Sequence, residues 1–120
     1  MIRLSFTVLF ALFSANIFSQ IIINYPNEKK LFYHNGDTIH VVITMKLNPK
    51  SCIDGMKKTY IYFSGCEDII KAQWVKHSNN TFQKDLALKI AESKNNKAKM
   101  TITRNTDRDS YFRQEQFNIQ

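Results

Sequence analysis

Three histidines, His34, His40 and His77, stand among 10 Asp+Glu and 17 Lys+Arg in a chain of 120 residues. Hydrolysis of a phosphodiester needs two proton-transfer groups and a cation on the phosphate. His40 and His77, with Glu67 or Glu92, are the candidates for proton transfer, and Arg104 or Arg108 for the phosphate. No motif ties this set together: G-x-S-x-G, H-E-x-x-H and G-x-x-x-x-G-K-S/T are all absent. Any basic chain of this length contains such an inventory, and His40 falls on the polar side of its alternating segment. No catalytic residue is therefore assigned. A small secreted hydrolase such as a nuclease stands as an alternative function. The histidines and the two cysteines lack the C-x₂-C or H-x₃-H spacing of a metal site, so neither metal nor cofactor is expected.

The remaining chemistry is that of recognition. Lys94, Lys97, Lys99, Arg104, Arg108 and Arg113 flank segments near the C-terminal end and form a candidate basic patch for an anionic partner. The competing reading is a solvated surface that keeps sheet edges from aggregating. Trp74 is a candidate platform for stacking on a sugar, or a core residue. Tyr60 and Tyr62 are the one hint of aromatic interleaving, too little to expect a nucleic-acid ligand. Asn79-Asn80-Thr81 is an N-glycosylation sequon at Asn79, in an expected turn. Cys52 and Cys66 are expected to form a disulfide closing a loop of about 15 residues, worth roughly 3 kcal/mol by loop-closure entropy.

These groups must be positioned by one small domain, since 120 residues hold about one. With 43% hydrophobic and 12% aromatic residues, the chain is too apolar for a disordered tail. Its beginning reads differently from the rest. Arg3 precedes an apolar stretch from Leu4 to Phe18, and Ser19 is a small residue suited to cleavage. That is the pattern of a secretory signal peptide over residues 1–19. Its loss removes four of nine Phe and leaves a net charge of +6 in place of +7. No second stretch is long enough to span a bilayer, and no hydrophobic tail for a lipid anchor follows Gln120. A soluble extracellular domain over residues 20–120 is expected.

Within that domain the apolar period is mostly two. Ile39, Val41, Ile43, Met45 and Leu47 recur at every second position and share one face, which predicts a half-buried strand from Thr38. Ile21-Ile22-Ile23, Thr59–Phe63, Thr81–Ile90, Lys99–Arg104 and Tyr111–Gln120 also read as strands, the last with Phe117 and Ile119 inward. His34-Asn35-Gly36-Asp37 is a turn, because Asn-Gly adopts positive φ readily. Residues 66–77 and 83–93 are ambiguous: Ser64-x-x-Glu67 is a possible capping box, and the Ala, Leu, Lys and Glu of the second segment also suit a helix. Two folds follow, an all-β sandwich of about seven strands, or an α+β fold with helices near 66–77 and 83–93.

Three segments carry a resemblance. Ile21-Ile22-Ile23-Asn24-Tyr25-Pro26 with Gly36-Asp37-Thr38-Ile39, then Tyr60-Ile61-Tyr62-Phe63-Ser64 with Trp74, then Met100-Thr101-Ile102-Thr103 with Phe117-Asn118-Ile119, together resemble an immunoglobulin-like or fibronectin-III-like secreted domain. Similar patterns occur in bacterial secreted surface modules and in the fungal Ser-Thr-rich GPI-anchored cell-wall family. The Cys52–Cys66 spacing is too short for the inter-sheet bridge of antibody domains. The resemblance implies an immunoglobulin-like β-sandwich. It further implies a secreted, non-enzymatic binding or adhesion module with an extracellular protein or glycan partner, anionic if the basic surface is the site. A structural extracellular or cell-wall component is the third reading.

Overall fold

The computed structural model describes residues 20–48, 55–91, 96–106 and 110–120. The expected signal segment, Cys52, Glu92, Lys94 and Arg108 lie outside the described residues. Eight strands follow in order: β1 (Gln20–Asn24), β2 (Thr38–Lys46), β3 (Thr59–Ser64), β4 (Cys66–Asp68), β5 (Val75–Ser78), β6 (Thr81–Ile90), β7 (Lys97–Asn105) and β8 (Ser110–Asn118). They form two antiparallel sheets, one ordered β1-β2-β6-β4 with β5 also on β6, the other β3-β7-β8.

No helix occurs among the described residues, so the all-β reading holds and the α+β alternative is corrected. Residues 66–77 are two short strands joined by an irregular connection, and Thr81–Ile90 is a continuous strand. Helix-compatible composition lost to pairing here. β6 lies between β2, matched to it over nine residues, and the β4 and β5 segments, so tertiary context decided its conformation.

β4 meets β6 at Leu88–Ile90 and β5 meets it at Thr81–Gln83, so the two act as one interrupted edge strand. The sheets then have four and three strand positions, in the order of a constant-type immunoglobulin sandwich. The sequence pattern accounts for the layering. Ile39, Val41, Ile43 and Met45 on β2, Leu86, Leu88 and Ile90 on β6, and Ala98, Met100 and Ile102 on β7 are all buried, with Phe117 and Ile119 closing the core. Their outward neighbours are mostly polar, Val42 on β2 and the buried Ala87 on β6 being the exceptions, so the period of two assigns most of the faces.

The chain passes from one sheet to the other at Gly65. Its φ is +73°, and an added Cβ would lie 2.9 Å from the Lys97 carbonyl oxygen and 3.2 Å from the Ala98 Cα. Only glycine fits that crossing without backbone movement. Immediately after it, Cys66 turns into the core opposite Ile90, with its Sγ 3.7 Å from the Lys99 carbonyl oxygen. Cys66 is a free thiol, and no disulfide is formed among the described residues. Cys52, the other half of the expected bridge, lies outside the described residues; the Cys66 sulfur turns inward to the core, where burial pushes the thiol pKa up to about 11.

The open side of the sandwich, between β1 and β8, is sealed by specific contacts. The Tyr25 hydroxyl donates to Glu115 Oε1 at 2.8 Å, and the Tyr25 and Tyr33 rings meet Phe117 edge-on at 6.2 and 6.0 Å. Arg113 Nη1 donates to the Ile21 carbonyl at 3.3 Å. Tyr33 also bridges in parallel to Ile119 beyond the end of β8.

Candidate functional site

The described members of the expected basic patch do not share one face. Arg104 is 1% exposed and points inward from β7, where Nη1 donates to the Gly55 carbonyl and to Thr59 Oγ1, each at 2.9 Å. It is a core residue that ties the turn before β3 to β7. Arg113, opposite Ile102, sits in the β1–β8 seam. Lys97 and Lys99 remain on the outer face of β7, two residues apart. Lys94 and Arg108 are outside the described residues.

The acid–base candidates are also separated. His40 lies opposite Ala87 on β6, whereas His77 lies at the irregular pairing of β5 with Thr81–Phe82. Five residues along β6 and two strand spacings across it place them roughly 19 Å apart, beyond any shared proton transfer. Arg104 is buried away from both. Among the described residues there is no cluster of three potential metal-ligating side chains.

What the fold does assemble is aromatic. Residues of β3 alternate, so Ile61 and Phe63 face the core while Tyr60 and Tyr62 face outward, 54% and 57% exposed. Their rings stack with centroids 6.4 Å apart and planes inclined by 23°. Across the sheet, Tyr60 lies opposite Thr103 and Thr103 opposite Phe112, which is 70% exposed. The next row is Tyr62, Thr101 and Gln114, and the row after it Ser64, Lys99 and Gln116. The Gln114 amide donates to Thr101 Oγ1 at 3.1 Å. One sheet face therefore carries three large aromatics set among hydroxyl, amide and ammonium groups. Contiguous exposed apolar side chains rimmed by polar ones mark an interaction surface more often than a bare solvent face.

Phe112 escaped the sequence reading, which weighed only Phe117 and Ile119 of the last strand. The signal was present: if Phe117 is inward, a residue five positions earlier must be outward in a period of two. Tyr60 and Tyr62, the one hint of aromatic interleaving in the sequence, are both on the exposed side.

A groove of about 530 Å³ opens beside this face. β3 is an edge strand of its sheet and forms one wall; residues 71–74, between β4 and β5, form the other. Trp74 is partly buried, packed on the core and also lining the groove, so both expectations for it meet in one residue. The far wall is pinned. Asp68 Oδ1 accepts from the backbone N–H groups of Ile70 and Ala87, Ile69 N–H donates to the Ala87 carbonyl, and Lys84 Nζ donates to the Ala72 carbonyl.

Fold and surface together define an all-β sandwich with an aromatic sheet face and an adjoining edge groove. No protein family, curated protein or solved structure matches this chain.

Proposed function

We propose that this chain is an exported, non-enzymatic binding module of the immunoglobulin-like kind, and that the outer face of β3-β7-β8 is its recognition surface. The observation that carries the reading is the placement of Tyr60, Tyr62 and Phe112 across that face, each more than half exposed. Folding gains nothing from exposing three aromatics, whereas Tyr is enriched where partners are bound. The signal-like start at residues 1–19 supports secretion, and the partner is an extracellular protein or glycan met at a cell surface. Asn79, exposed in the β5–β6 turn, is accessible to a glycosylation machinery where the source has one, and it belongs to the other sheet.

The test is a Tyr62→Ser/Phe112→Ser double variant, expressed in the producing cells and fractionated between cell surface and medium. Loss of two hot-spot aromatics weakens attachment by about 2 kcal/mol or more, some thirtyfold, with melting temperature unchanged. Equal retention of variant and parent at the surface overturns the reading.

A further inference from the structure

We propose that the groove between β3 and residues 71–74 binds a short stretch of an uncharged oligosaccharide. The proposal rests on the binding-module reading but uses an adjoining site that shares Tyr60, and neither Tyr62 nor Phe112, with the sheet face. Three observations carry it. First, about 530 Å³ lies within the range of small-molecule sites, and the groove is open along its length, which suits a segment of a chain. Second, its lining pairs apolar surfaces, from Trp74 and Tyr60, with hydroxyl, amide and carboxylate groups from Thr59, Gln73 and Glu67. A pyranose has the matching surface, a C–H face that packs on an aromatic ring and a rim of hydroxyls that both donate and accept.

Third, the charges cancel. Glu67 and Asp68 offset Lys71 and Lys84 in the lining, although the whole chain carries +7. The lining itself carries no net charge to pair with a polyanion, so the basic composition does not describe this site. The geometry is fixed in advance. The far wall is held by the Asp68 and Lys84 hydrogen bonds, and Lys71 takes the left-handed conformation, φ 55°, at the corner. A wall already ordered costs little further entropy when a ligand settles on it.

Trp74 is the single tryptophan of the chain, so its fluorescence reads this groove alone. The purified protein is titrated with neutral cello-, xylo-, manno- and chito-oligosaccharides. Heparin and polygalacturonate fragments, and reduced, alkylated casein, serve as the comparison ligands. A saturable shift of Trp74 emission with at least one neutral series is expected, with affinity rising with length and then levelling. Gln73→Ala and Tyr60→Ala should each weaken it about three- to tenfold, and Phe112→Ala should leave it unchanged. A response only to anionic fragments or to casein, or none to any neutral series, overturns the groove proposal. So does binding of a neutral sugar lost with Phe112→Ala but kept with Gln73→Ala, an outcome that would leave the sheet-face reading standing.

Discussion

Arg104 shows how far a residue's type can mislead about its place. In sequence it belongs to a run of cations; in the fold it is among the largest fully buried side chains. Buried arginine is tolerated when its donors are used, and Nη1 alone serves two acceptors from the turn that precedes β3. Arg104→Ala would empty a core position and leave the Gly55 carbonyl and Thr59 hydroxyl unmatched. A loss of about 2–4 kcal/mol is expected, read as a fall in melting temperature of about 10 °C or more. Arg113→Ala, at an exposed carbonyl contact, should stay within about 1 kcal/mol. If the two variants melt alike, Arg104 is not a core residue. The alternation Met100, Ile102, Arg104 did announce its inward face. What period two cannot supply is the partner: Gly55 and Thr59 lie more than forty positions away in sequence.

At the scale of elements, the legible strands were those with one wet face. β2 shows the strict alternation of buried and less buried residues that such a strand requires, and β3 divides its aromatics and aliphatics the same way. The 66–77 segment was not legible, because its conformation is set by side chains reaching β6 and not by its own period. Ile69, Ile70 and Val75 are about half exposed, so no apolar rhythm exists there to be read. The groove was hidden for the same reason: its walls come from separate segments, β3 and residues 71–74, joined in no sequence motif. Asp68 is the pin, accepting both the Ile70 and Ala87 amides. Asp68→Ala should therefore loosen residues 69–74 while β2 and β7 stay protected. Amide exchange at Ile70 and Ala87 is expected to accelerate about fivefold, corresponding to about 1 kcal/mol, when followed by hydrogen–deuterium exchange. Unchanged exchange at both amides would show that the wall is held by other contacts.

For the whole molecule, the sandwich is closed by contacts between its first and last segments, and two protonated groups report on its packing, Tyr25 at that closure and Cys66 at the crossing between the sheets. Tyr25 sits in the β1–β8 seam, where burial first, and then its hydrogen bond to the Glu115 carboxylate, raises its pKa from the ordinary 10.0. Cys66 sits at the crossing between sheets with its pKa raised from 9.0 to about 11 by burial. Both shifts run the same way: the folded chain keeps protons that the unfolded chain releases. The stability from Cys66 is complete below pH 9 and is lost as pH rises from there through about 11; that from Tyr25 begins to go above pH 10. The domain is therefore expected to be insensitive to pH between 7 and 8.5 as far as these groups are concerned, and to lose about 2 kcal/mol by pH 11 through Cys66 alone. Urea unfolding at pH 8 and pH 11 reads the loss. Cys66→Ala, although less stable throughout, should show a flatter decline between pH 9 and 11, and Tyr25→Phe a flatter one above pH 10. The variants separate the crossing from the seam, because each removes one titrating group and leaves the other in place. Parallel declines in parent and both variants would mean that neither proton is held by the fold, and that the seam and the crossing are open to water.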